Sequence, residues 1–173
     1  MTQNYFPHLA FLFFLFLIET AGRKVLEQNS FFVPMLLLLA CLAAAQKFSI
    51  PKTLWTTFFA GFLLEIFSGQ FFGSYIFGLE FAVLPIWLLT RRITRRDDSA
   101  LGGAIFAAVG TVFFVFGIYA YCGLFGLLGF GEGGDFKSFF SSKLLWTIAV
   151  NVIAFYPVKF FLGILSKQSE KSF

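Results

Sequence analysis

Apolar residues run through this chain in long blocks, broken by short polar stretches. Neither the two-residue alternation of a strand nor the narrow stripe of a surface helix is present. The blocks run over 5–21, 31–45, 53–67, 71–90, 101–121 and 143–165. A helix needs about 20 mostly apolar residues to cross a bilayer, with a range of about 17–25. The pattern therefore predicts a single all-α integral membrane domain, a bundle of six transmembrane helices over residues 1–173. The second block is short and must thin the bilayer locally or be extended by its flanks. The first resembles a signal peptide in length, but no Lys or Arg precedes it, so the positive leader segment is missing.

The polar stretches predict the connections. They are "ETAGRKVLEQNS" (19–30), the basic loop "QKFSIPK" (46–52), "RRITRRDD" (91–98), a glycine-rich segment over 122–140, and a polar tail after 165. Between 53 and 90 the apolar run is too long for one helix, and "SGQFFGS" supplies the turn residues that split it. There is no internal repeat.

Composition agrees with the pattern. The chain is 58% hydrophobic and 13% charged, with 29 Phe, where soluble domains are about 45–50% apolar and about 25% charged. A core of this size cannot hide so many rings. The net charge of +4 sits in clusters between the apolar runs, where orientation signals belong, which excludes nucleic acid as the partner.

Lys47, Lys52, Arg91, Arg92, Arg95, Arg96, Lys167 and Lys171 fall on one side, which makes eight. Arg23, Lys24, Lys137 and Lys143 make four on the other, offset by Glu19, Glu27, Glu132 and Asp135. The richer side is cytoplasmic by the positive-inside rule, with both termini there. Trp55 and Trp87 then lie near the inner interface and Trp146 near the outer one.

Little in the chain suggests chemistry. Cys41 and Cys122 lie in separate apolar runs at opposite depths, with no Cys-x-x-Cys spacing. His8 is the sole histidine, so a multi-histidine metal site is excluded. "GEGGD" (131–135) lacks the lysine of a phosphate loop and reads as an outer turn. No nucleophile–base set is visible, and neither an enzyme nor a cofactor is expected.

Three constellations remain. Gly103, Ala107, Gly110 and Gly117 form a small-residue stripe, of the kind that lets helices approach closely in lipid. Packing inside the bundle is favoured over a partner contact. Glu80 and Lys159 are ionisable groups at membrane depth. Their axial offset, roughly 10 Å at 1.5 Å per residue, argues against direct pairing and leaves Glu80 a structural or partner-facing role. Arg91, Arg92, Arg95 and Arg96 form a basic loop that sets topology and would also suit anionic lipid or an acidic partner.

The segment "GFLLEIFSGQFFGSY" (61–75) is the most specific. Its order, Gly61, Glu65, Ser68, Gly69 and Gly73, resembles the signature of the MreD family, the membrane subunit of the bacterial rod-shape machinery. Here Glu65 replaces the family's usual Asp. The resemblance implies a scaffold in the cytoplasmic membrane, supporting peptidoglycan synthesis and cell shape. It also implies partners: a single-span MreC-like protein, an MreB-like actin homologue, and a RodA-like polymerase with its penicillin-binding transpeptidase. The fold implied is similar to the substrate-binding S component of an energy-coupling-factor vitamin transporter, which is the alternative function. Against that alternative, "HLAFLFFLFLIETAG" is bulky where such a component has small docking residues.

Physically, Gly69 and Gly73 permit a tight turn. Glu65 is placed to accept hydrogen bonds from the backbone N–H groups that open the fourth helix. It is equally placed to reach water at the outer face.

Overall fold

The computed structural model describes residues 6–28, 35–68, 72–93, 100–129 and 142–171. Among them the chain is entirely helical: α1 (Phe6–Gln28), α2 (Leu36–Lys47), α3 (Ile50–Ser68), α4 (Ser74–Ile93), α5 (Ala100–Leu127) and α6 (Ser142–Lys171). The helices run alternately up and down. Close pairs such as Gly61 with Ile76 and Gly78 with Gly117 fix α3–α4 and α4–α5 as antiparallel neighbours. Met35 with Asn151 and Lys47 with Gly163 are both pairs 116 residues apart, so α2 runs parallel to α6. Phe6 and Lys171 both lie at the lower end, where α1, α3 and α5 begin.

The core is built around α2. Every residue from Leu37 to Ala45 is at most 1% exposed, and α2 packs against all five other helices. A helix apolar all round belongs in such a place. Its 12 residues reach about 18 Å, well short of the roughly 30 Å of a bilayer's hydrocarbon core.

Several boundaries differ from the sequence reading. The first helix does not stop at 21 but continues to Gln28, carrying "ETAGRKVLEQ" as helix. The second begins at Leu36, and the part of its predicted span over 31–34 lies outside the described residues. The loop expected over 46–52 shrinks to Phe48 and Ser49, because Pro51 is tolerated in the first turn of α3. The start of the glycine-rich connection is instead the end of α5. The tail is helical to Lys171. Except at the start of α2, an apolar-run criterion stopped where composition changed, whereas backbone hydrogen bonding did not.

Two helical stretches, Leu101–Leu127 and Leu144–Ile164, are long and apolar enough to cross a membrane. Only 33% and 22% of their windows are buried inside the bundle. Outward apolar residues are not confined to these two helices. Phe13, Phe14 and Leu17 on α1, Trp55, Phe58 and Phe62 on α3, and Phe77, Leu84 and Leu88 on α4 are all exposed.

Candidate functional site: a polar belt at the upper end of the bundle

Two helices start at the upper end without a cap of their own. The residue before α4 is Gly73, at φ +97°, and it has no side chain to offer. The residue before α2 is Met35, whose side chain makes no capping bond. A helix N-terminus leaves four N–H groups without an intrahelical acceptor. Ser, Thr, Asp or Asn at the cap position normally supplies the missing oxygen.

Here the oxygen comes from a neighbouring helix. Glu65 on α3 accepts from Tyr75 N–H at 2.5 Å and from Ile76 N–H at 3.4 Å through the same Oε1. Glu65 is 6% exposed, so the carboxylate is turned into the bundle and not toward water. Glu19 on α1 does the same for α2: its Oε2 accepts from Leu37 N–H at 3.0 Å, and the residue is 2% exposed. Each carboxylate places negative charge at the positive end of a helix dipole. Glu19 was expected among the outer loop charges; because α1 continues as helix, the residue is carried into the core instead.

Three further side chains complete the belt. Asn151 on α6 accepts from Met35 N–H at 2.8 Å and donates to Thr111 Oγ1 at 3.0 Å. Thr111 in turn donates to the Ala107 carbonyl at 2.7 Å. Tyr121 on α5 donates to the Phe72 carbonyl at 2.8 Å, closing the α3–α4 hairpin from the far side. Its ring also packs on Phe77 and Phe125. Asn151 and Thr111 are fully buried, where polar groups are costly unless bonded, and both are bonded.

The residues singled out from sequence are distributed as follows. Gly61 brings α3 and α4 into backbone contact: a Cβ there would lie 2.7 Å from Ile76 Cα. Gly73 faces Tyr121, whose hydroxyl would be 2.6 Å from an added Cβ. Ser68 ends α3, and Gly69 lies outside the described residues.

The small-residue stripe does not face one neighbour. Gly103 packs on Phe155 of α6, Gly110 on Leu42 of α2, and Gly117 on Gly78 and Phe81 of α4. A seven-residue repeat drifts about 20° per heptad around a straight helix, so successive glycines meet successive neighbours. Ala107 is fully buried among them. Arg91 and Arg92 occupy the last turn of α4 as helix, not loop. Arg95 and Arg96 lie outside the described residues. Trp87, expected as an interface anchor, is partly buried and donates to the Phe48 carbonyl just below α2 at 3.4 Å.

Glu80 is partly buried on α4, within electrostatic reach of Cys41. It has no hydrogen-bond or ion-pair partner among the described residues, so Lys159 does not pair with it. Cys41 and Cys122 are both free thiols.

No protein family, characterised protein or solved structure matches the chain. The belt therefore has to be read on its own geometry. Glu19, Asn151, Thr111 and Tyr121 were all missed by sequence reasoning. The available signal was indirect: α2 and α4 open on Met35 and Gly73, which cannot cap, so acceptors had to come from elsewhere.

Chemically, the belt positions backbone and does not gather reactive groups. Among the described residues no three of His, Cys, Asp and Glu come together to hold a metal.

Proposed function

We propose that the chain is a multi-pass protein of the bacterial cytoplasmic membrane and acts as a scaffold in cell elongation, in the manner of MreD. Its membrane placement is supported by exposed Phe, Leu, Ile and Trp on every helix except the enclosed α2. A soluble domain does not carry such surface without a partner. Trp55 and Trp146, 70% and 60% exposed near opposite ends, suit the two interfaces. Both ends of the described chain lie at the basic end, which agrees with cytoplasmic termini.

The observation that carries the scaffold reading is the hairpin from Gly61 to Gly73. Three of the five residues that make the family resemblance take part in closing it: a backbone contact at Gly61, a cap from Glu65 and a positive φ at Gly73. A bundle pinned at its end is suited to holding partners, and among the described residues no three of His, Cys, Asp and Glu gather to hold a metal. The partners are an MreC-like single-span protein, an MreB-like filament, and a RodA-like polymerase with its transpeptidase.

The test is affinity purification of the tagged protein from its native membrane in mild detergent, with mass spectrometry of what is retained. Recovery of MreC-like and RodA-like proteins is the expected result. Recovery of an ATPase pair with a coupling subunit would overturn it in favour of a transporter S component.

A further inference from the structure

Three carboxylates on the described helices sit at depths where a bilayer would surround them. Glu19 and Glu65 cap α2 and α4. Glu80 caps nothing. It lies six residues into α4, about 9 Å below the helix start. At 100° per residue it lies about 60° round from Phe77, on the α3 side of an outward stripe of Phe77, Leu84 and Leu88, and is itself partly exposed. Gly61 against Ile76 sets the α3–α4 contact. From that contact, the outward stripe of α3 (Trp55, Phe58, Phe62 and Ile66, all exposed) turns to the same side of the pair. The result is one apolar face, two helices wide, with a single carboxylate near its middle.

A carboxylate in hydrocarbon is expensive, and in membrane proteins such a group faces protein or water and is paired. Within the described chain Glu80 has no such partner. We infer that the α3–α4 face docks a membrane-spanning helix of another protein, and that this helix carries a Lys or Arg at the depth of Glu80. Charge complementarity selects a basic helix, and the apolar residues above and below select one that crosses the bilayer. Aromatic side chains flanking the carboxylate would exclude water from the pair and strengthen it. The inference rests on the membrane scaffold reading but names a surface and a partner chemistry that the reading leaves open.

The experiment is site-specific photocrosslinking in native membranes. Benzoylphenylalanine replaces Leu84, one turn from Glu80, and in a control replaces Ile153, exposed on α6. Adducts are identified by peptide mass spectrometry, with and without Glu80→Gln. The expected result is an adduct from position 84 to a transmembrane peptide containing Lys or Arg. Its yield should fall at least about tenfold with Glu80→Gln, as when one member of a desolvated charge pair is removed. Unchanged elution of the variant in detergent would show that the fold is kept. If Glu80→Gln does not fold, the composition of the wild-type adduct decides alone. The inference is overturned by lipid adducts only, by a partner helix without a basic residue, by an adduct to a second copy of this chain, or by a yield indifferent to Glu80→Gln. A basic helix from a protein outside the elongation machinery would sink the scaffold reading and leave this one standing. Elongation partners recovered by purification but absent at position 84 would do the reverse.

Discussion

Gly73 is the position at which a single methyl group should do most damage for its size. Its φ of +97° lies where L side chains are rarely found, and such backbone strain costs about 1–3 kcal/mol. The added Cβ of Gly73→Ala would also sit 2.6 Å from the Tyr121 hydroxyl and 3.2 Å from its ring carbon. The ring must swing away, and the bond from Tyr121 to the Phe72 carbonyl goes with it; a typical net loss is about 0.5–1.5 kcal/mol. Together these give about 2–4 kcal/mol. The two causes separate in a double-mutant cycle. Tyr121→Phe alone loses only the hydrogen bond. In Gly73→Ala with Tyr121→Phe, the closest clashing atom is gone, so the pair should cost less than the sum of the singles while the backbone strain remains. Unfolding of the detergent-solubilised protein by SDS titration, followed by far-ultraviolet circular dichroism, measures all three. A Gly73→Ala protein as stable as wild type, or a strictly additive cycle, would refute the hairpin argument.

Further expectations concern the other contacts. Glu65→Ala should expose Tyr75 and Ile76 amides, and Glu19→Ala the Leu37 amide, each costing about 1–3 kcal/mol for an orphaned buried donor; hydrogen exchange localised to the first turn of α4 or of α2 checks this. Gly110→Ala should destabilise, because its Cβ would lie 2.5 Å from Leu42 Cδ1. Leu42→Ala in the same protein should recover part of that loss, read as a rise in the SDS midpoint over Gly110→Ala. Cys41→Ser should cost less than about 1 kcal/mol despite full burial, since a helical Ser can bond the carbonyl four residues back; a larger loss of thermal stability would contradict it.

The helical class could be read from the apolar blocks, because a helix apolar over many turns leaves an unmistakable run. The Glu65 cap was within reach for a different reason: an acid one turn before a glycine turn has few uses in an apolar segment. Its competing use, reaching water, was settled only by burial, which no local pattern encodes. Glu19 was misplaced because polarity was taken to end a helix, whereas "ETAGRKVLEQ" has no Pro, and its one glycine, Gly22, is carried within the helix. Asn151 and Thr111 were passed over because their meaning depends on being 40 residues apart in sequence and 3.0 Å apart in space. The central place of α2 was hidden for the same reason. Its block looked like a span cut short, and only the packing shows it to be enclosed on all sides.

The short enclosed helix and the remote caps are connected. A helix that begins inside a bundle cannot satisfy its first N–H groups with water, as one beginning at the surface can. At α2 the cap position is held by Met35, which packs against the apolar core, so a polar side chain there would lose that contact. Placing the acceptor on the preceding, antiparallel helix avoids that conflict: Glu19 serves α2 and Glu65 serves α4, each on the helix that rises just before the one it caps. The same arrangement fastens α1 to α2 and α3 to α4 at the upper end, while Asn151 and Tyr121 fasten α6 and α5 to the two hairpins. The carboxylates that build the bundle are thereby distinguished from Glu80, which no helix start requires.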